Sequence, residues 1–346
     1  MMKKVSARKI NMLTFLTLIS PAGYAPSAAI LGYNRPTVFA PASPPASSGW
    51  QTLVLRQIGC SAHQELQSER PGKLIGTTSR GLFALLDPHT IVFLSFESYA
   101  GPLTANLEPI APALLAILPT GGVLEVRGGD LYFPEAQIKI ESAAAAVWQA
   151  PPPPAPLLPR PQQRRNLSEL ADQLLQLKGE AGFAPLFAPY LHSQGETRLP
   201  LASRRLLADL RQLTAALRAP DQPATLDLLL SFLGLGRGLT PSGDDLLCGL
   251  LFLRRRAGLS PETWEAPLVA AAVERTTAIS AGLLAAAAQG QADERLLHAA
   301  DYLLAGAPSV SHASQSLAAW GSSSGVDALL GMAIALSDSL DEGVPA

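Results

Sequence analysis

The densest chemistry in the chain lies in one short run, Gly234-Leu-Gly-Arg-Gly-Leu-Thr-Pro-Ser-Gly-Asp-Asp245. Gly234, Gly236 and Gly238 let the backbone take positive φ and let a ligand approach the peptide groups. Thr240-Pro241-Ser242 then reads as a helix start, with a hydroxyl, a proline in the first turn, and Asp244 and Asp245 just inside. The free N–H groups and partial positive charge of such a start suit a phosphate or carboxylate. The plainer alternative is a pair of caps: glycine ends one helix, Thr240 or Ser242 begins the next, and the acids complement its dipole. Arg237 among the glycines and a second adjacent carboxylate exceed what capping needs. Because those carboxylates repel a bare anion, Asp244 and Asp245 are candidate ligands for a bridging Mg²⁺, unless Arg237 offsets their charge. The Gly-Lys-Ser/Thr ending of a Walker loop is missing.

The same grammar recurs downstream. Ser242-Gly243-Asp244-Asp245-Leu-Leu-Cys248-Gly249 lies over Ser324-Gly325-Val326-Asp327-Ala-Leu-Leu330-Gly331. In each copy an acid in the first turn is followed four residues later by a glycine on the same helix face, where another backbone can pack closely. The expectation is that the two helix starts meet in one composite polar site. Asp244, Asp245 and Asp327 are its candidate catalytic carboxylates, and Ser242, Gly243, Ser323, Ser324 and Gly325 its anion-binding groups. A further hydroxyl row, Arg275-Thr276-Thr277-Ala-Ile-Ser280, falls within a helix expected over Pro261–Ala287, with Thr276 and Ser280 on one face. These hydroxyls either bond back to the preceding turn or join Arg275 in holding the same anion.

The elements that must carry these residues change character at a proline-rich stretch. From Leu53 to about Trp148 short apolar runs alternate with turns, as in Gly81–Leu86, Thr90–Phe96, Gly122–Val126 and Asp130–Phe133. Gly128-Gly129-Asp130 between two of them is a hairpin signal. A helix is expected at Pro109–Leu118, and Gly101–Asn106 reads as a turn or as a site loop at the sheet end. Pro151–Pro161 cannot enter a helix interior and marks a linker over residues 150–165. Beyond it the period becomes about 3.6, with helices expected at Ser168–Leu177, Ser203–Arg218, Ala224–Leu233, Gly243–Ala257, Asp293–Ala305, Val310–Ala319 and Val326–Leu340. The fold class is therefore α+β: a small β-barrel or sandwich over residues 51–149, then an all-helical bundle over residues 166–341.

Composition narrows the function. The 346 residues are 48% hydrophobic and 16% charged, enough for a sizeable core. A net charge of −2 without a dominant basic block argues against nucleic acid as the main partner. Arg254-Arg255-Arg256 and Arg164-Arg165 read as helix ends or solvated faces. With only Cys60 and Cys248 there is no disulfide framework or Cys-x-x-Cys pair, and the five histidines lack i,i+4 spacing. No apolar run is long enough to span a membrane. Residues 1–50 combine basic residues, a short apolar run and a Pro/Ala/Ser stretch. They read as a disordered extension or a weak signal-like segment, and the expected compartment is cytoplasmic.

Taken in order, Gly-x-Gly-x-Gly-Leu-Thr-Pro-Ser-Gly-Asp-Asp, Arg-Thr-Thr-x-x-Ser and Gly-x-Ser-Ser-Gly-x-Asp-x-Leu-x-Gly resemble a bacterial family whose better-understood relatives are the AllH-type subunit of oxamate carbamoyltransferase. The resemblance runs over roughly residues 53 to 340 and is strongest at residues 234 to 249. At the position of Arg237 the family commonly has proline or a smaller residue, so a role for Arg237 would be particular to this chain. The resemblance implies a reaction of carbamoyl phosphate and oxamate, in exchange with oxalurate and phosphate, within allantoin breakdown. It also implies partner subunits in a hetero-oligomer. The residues themselves leave a second reading open, a non-catalytic assembly subunit or small-carboxylate binder whose glycines serve close helix packing.

Overall fold

The computed structural model describes residues 49–107, 117–118, 120–218 and 222–338. The segment at residues 1–48, most of the helix expected at Pro109–Leu118 and the last residues of the one expected at Val326–Leu340 lie outside them. The described residues form one compact unit from Gly49 onward.

The N-terminal part is a closed barrel, as the alternating strands imply. Its strands are β1 (Gln51–Gly59), β2 (Arg70–Thr78), β3 (Gly81–Asp87), β4 (Thr90–Ser95), β5 (Thr104–Leu107), β6 (Val123–Arg127), β7 (Asp130–Phe133), β8 (Ile138–Glu141) and β9 (Ala146–Trp148). They run in the order β5-β4-β3-β2-β6-β7-β8-β1-β9, and β1 pairs back onto β5, which removes the sheet edges. Along β1, Gln51–Val54 pair with β8 and Gln57–Gly59 with β9, so one long strand zips the barrel shut. Inward residues such as Leu55, Leu82, Ala84, Val92, Leu94, Leu124, Leu131 and Ile140 fill it. The hairpin expected at Gly128-Gly129 is there, with both residues at positive φ (58° and 88°) as a type I′ turn requires. A short helix α1 (Cys60–Leu66) interrupts the strands, and β1, β2, β5, β8 and β9 escape the sequence reading because their apolar positions are sparse.

The helical part begins at α2 (Arg160–Lys178), inside the stretch assigned to the linker. Pro161 lies in its first turn, where a missing N–H costs nothing. The prolines before it are tied down: Leu158 N–H donates to Leu304 O at 2.7 Å, and Arg256 donates to Pro151 O. Next come α3 (Phe187–His192), α4 (Leu201–Leu217), α5 (Gln222–Phe232), α6 (Ser242–Arg256), α7 (Glu265–Arg275), α8 (Ala278–Ala288), α9 (Glu294–Ala305), α10 (Val310–Ala319) and α11 (Ser324–Asp338). The single helix expected over Pro261–Ala287 is two. Thr276 is extended (φ −137°, ψ −168°), and the Thr277 hydroxyl accepts from Ser280 N–H to start α8. The arginines at the end of α6 are not solvated. Arg254 and Arg256 are buried, with Arg254 and Arg255 against Glu265 and Arg256 forked onto Asp301 at 2.7 and 2.9 Å. Among the described residues no helix is long and apolar enough to cross a membrane.

The bundle is organised on α6 and α11, the two helices that carry the repeated motif. They cross in reciprocal register. A Cβ on Gly249 would run into the Ala328 carbonyl and one on Gly331 into the Leu246 carbonyl, and these pairs exchange under the alignment of the two copies. A local two-fold axis produces such a pattern. Nearly every residue of α6 from Gly243 to Leu253 is buried, as are residues 326–336 of α11, so neither helix can move aside for an added atom. Gly331→Ala and Gly249→Ala should each lower the unfolding free energy by about 3 kcal/mol. Urea titration monitored by circular dichroism should show this, while Gly76→Ala, whose methyl would come no nearer than 3.7 Å to Phe83, changes it little.

Candidate functional site

The two motif starts meet, and they do so by exchanging partners. Asp245 of α6 faces the Ser324 hydroxyl of α11 and Thr240, while Asp327 of α11 faces the hydroxyls of Ser242 and Ser323. The Thr240 and Ser324 hydroxyls lie 3.1 Å apart. Phe183 N–H donates to Asp327 Oδ1 at 2.7 Å, and Oδ2 of Asp245 and Oδ2 of Asp327 have no hydrogen-bond partner. Burial, foremost, lifts both carboxyls out of the ordinary range. Asp327 is pushed up to about 6, and Asp245 is raised well above 3.8, the nearby Asp327 charge adding to the effect of burial.

Several expected donors are engaged elsewhere. The loop Gly234–Thr240 takes positive φ at Gly234, Gly236 and Gly238 (73°, 122° and 99°) and folds back over the start of α6. There the Leu235 carbonyl accepts the Gly243 N–H at 2.8 Å. At α11 the Trp320 carbonyl accepts the Gly325 N–H at 3.2 Å. A Cβ on Gly243 would strike the Phe232 carbonyl, and one on Gly325 the Leu317 carbonyl. Both glycines therefore seat a helix start on the end of the preceding helix, and their N–H groups are closed to an anion.

Asp244 is likewise committed. Its Oδ1 accepts Gly234 N–H at 2.8 Å and its Oδ2 the Thr276 hydroxyl. The Ser280 hydroxyl lies beside it without an aligned hydrogen bond, and burial again raises the carboxyl. Thr277 Oγ1 donates to Leu239 O at 2.6 Å. Thus Thr276, Thr277 and Ser280 brace the glycine loop, and the exposed Arg275 contributes its backbone: its carbonyl packs on Gly234. Each oxygen of Asp244, one of the two acids expected to hold Mg²⁺, accepts from one protein donor. No cluster of three or more metal-liganding side chains occurs among the described residues.

Beside the crossing lies a cavity of about 690 Å³ between the outer face of the barrel and the helices. Of the expected residues, Arg237, Gly238, Thr240, Ser323 and Ser324 line it, with Asp245 one hydroxyl behind. Gly236 and Ser242 do not reach it. The loop Gly101–Thr104 does, pinned by Glu294 N–H donating to Ala100 O at 2.8 Å and Ala62 N–H donating to Pro102 O at 2.9 Å.

Of the cations that dominate the cavity, only Arg237 was evident from the chain. Arg80, Lys178, Arg237 and Arg295 line it against the carboxylates Glu97 and Asp293, leaving an excess of positive charge. Arg295 is matched by Asp293 at 2.7 Å, Glu97 at 3.1 Å and the ring of Tyr99. Arg80 bonds the Ala319 carbonyl and lies 3.6 Å from Glu97. Among the described residues no carboxylate pairs with Lys178. Its ammonium donates to Ala318 O (3.1 Å) and Gly321 O (2.9 Å), leaving one N–H for the cavity. Burial, and then the charge of Arg80, draws its pKa below the ordinary lysine value. In the sequence Lys178 is only the basic last turn of a helix before Gly179, and Arg80 a turn residue between strands. Neither position signals a ligand.

Residues 232–336 match the family model described as oxamate carbamoyltransferase subunit AllH. Over this segment the chain is similar to that family. The matched segment begins at the end of α5 and contains both motif copies, whereas the barrel and Lys178 lie outside it, a narrower extent than the resemblance read from the sequence. No solved structure matches the chain.

The buried dyad has a measurable consequence. Because Asp327 titrates near 6 in the folded protein against an ordinary 3.8, the folded state holds its proton more tightly. Its favourable contribution is complete below about pH 4 and is lost as pH rises through 6. Asp327→Asn keeps the acceptor for Phe183 N–H but cannot ionise. Chemical denaturation at pH 4, 5, 6 and 7 should give a smaller fall in stability for the variant than for the parent protein; equal slopes would refute this assignment.

Proposed function

We propose that the chain is a carbamoyltransferase-type subunit that binds a small anionic substrate in the cavity between barrel and helices. The observation that carries this reading is Lys178, an ammonium without a counter-carboxylate, fixed by two carbonyls among Arg80, Ser323 and Ser324. A fixed cation with hydroxyl donors costs no reorganisation when it meets an anion. The match of the AllH-type segment directs the chemistry toward oxamate and carbamoyl phosphate.

In that reaction the amide nitrogen of oxamate attacks the carbamoyl carbon. The C–O bond to phosphate breaks, and the departing phosphate takes the proton lost by nitrogen. Lys178 and Arg80 would hold phosphoryl or carboxylate oxygens and offset the charge on the tetrahedral species. Ser324, donating back to Asp245, would offer its lone pairs to the substrate N–H, with Thr240 beside it; Asp245 is then a positioning residue. Neither a covalent nucleophile nor a metal is needed for these steps. Partner subunits belong to this proposal, because the matching family is described as one subunit of an enzyme. The closed N–H groups at Gly243 and Gly325 support a packing role for the glycines themselves, so the motif builds the wall on which the anion rests.

Calorimetric titration of carbamoyl phosphate, phosphate and oxamate into the full chain should give saturable binding. Lys178→Met should weaken it by tenfold or more, the loss of a charged hydrogen-bond donor. Ser324→Ala should weaken it less, and should lower stability by about 1–3 kcal/mol because the buried Asp245 loses a donor. Absence of binding, with partner chains present as well as without, would overturn the reading.

A further inference from the structure

The cavity has a second wall that a small anion does not use. On β3 and β4 the residues alternate, with Leu82, Ala84, Val92 and Leu94 inside the barrel and Phe83, Ile91 and Phe93 on its outer face, which lines the cavity. Phe83 and Phe93 stack with centroids 4.6 Å apart. Across from them α8 presents Ile279 and Leu283. An outward barrel face is ordinarily polar where water reaches it, yet this one is apolar just where it borders empty space.

Volume points the same way. At about 30 Å³ per water-sized group, a small anion displaces on the order of 150–250 Å³, whereas the cavity holds about 690 Å³. Arg80, Lys178 and Ser322–Ser324 share this lining with Phe83, Phe93 and Leu283. A lining that combines fixed cations with an apolar surface matches a ligand that carries both a charged group and an apolar body.

We infer that the cavity takes an amphipathic anion, a phosphate or carboxylate head held at Lys178 and an apolar body laid on Phe83, Phe93, Ile279 and Leu283. This rests on the reading that the cavity binds an anion at Lys178, and it goes beyond that reading: oxamate and carbamoyl phosphate carry no apolar body, so the amphipathic anion is a further ligand class for the same cation.

The test is a series of n-alkyl phosphates from methyl to hexyl, titrated into the full chain beside inorganic phosphate. The dissociation constant should fall by roughly fourfold for each added methylene until the wall is covered. Phe93→Ala should flatten that dependence while leaving the inorganic phosphate constant unchanged. Lys178→Met should weaken every member by a similar factor. Circular dichroism of each variant checks that it folds, and Leu283→Ala supplies a second probe of the same wall from the opposite domain. A constant independent of chain length overturns the apolar subsite and leaves the small-anion reading standing. Binding of no member, inorganic phosphate included, overturns both.

Discussion

Everything in this molecule rests on the crossing of α6 and α11 at backbone distance. Gly249 faces the Ala328 carbonyl and Gly331 the Leu246 carbonyl, so the two helices approach as closely as hydrogen in place of a side chain allows. That approach brings their first turns together and places the acid of each opposite the serine of the other. Wider spacing would leave two buried carboxylates with neither donor nor water, a cost no isolated helix start carries. Close packing and polar pairing are thus one constraint, imposed twice by the same eight-residue pattern.

The crossing also explains where positive charge accumulates. Burial raises both Asp245 and Asp327, the latter to about 6, so the negative charge behind the hydroxyl wall diminishes as pH falls through that value. The Ala318–Gly321 segment, just before α11, offers carbonyls that fix Lys178 and Arg80. Carbonyl dipoles satisfy Lys178 without neutralising it. Arg295, by contrast, is matched by carboxylates from both the barrel and its own helix cap, and serves to join the two parts. Two kinds of cation therefore share one cavity: Arg295, matched by carboxylates, and Lys178, held by carbonyls.

The division into a closed barrel and a helical bundle gives the cavity its two characters. The bundle supplies Lys178 and the Ser322–Ser324 hydroxyls through helix ends, and Ile279 and Leu283 from α8, while Arg80 comes from the turn between β2 and β3. The barrel supplies a flat apolar surface through alternate residues of β3 and β4, where no backbone group is free to bind. Loop Gly101–Thr104, wedged between Gly59, Gly282 and Asp293, holds these surfaces at a fixed spacing, so the cavity is built into the fold.

The order of strands then helices, the Gly128-Gly129 hairpin, the helix starts at Ser242 and Ser324, and their kinship were legible in the residues, because periodicity, turn chemistry and caps act over a few positions. The pairing of the two starts was legible too, since a repeated glycine one turn beyond an acid prescribes a close neighbour. What local signals could not decide was which polar groups stay available. Gly243, Gly325 and Asp244 look like ligand groups in the chain, yet Leu235, Trp320, Gly234 and Thr276 satisfy them in the fold. Lys178 and Arg80 look ordinary, yet they end beside each other, without sufficient carboxylate, at the cavity. Availability is what remains after all other hydrogen bonds and ion pairs are made, so it belongs to the tertiary structure alone.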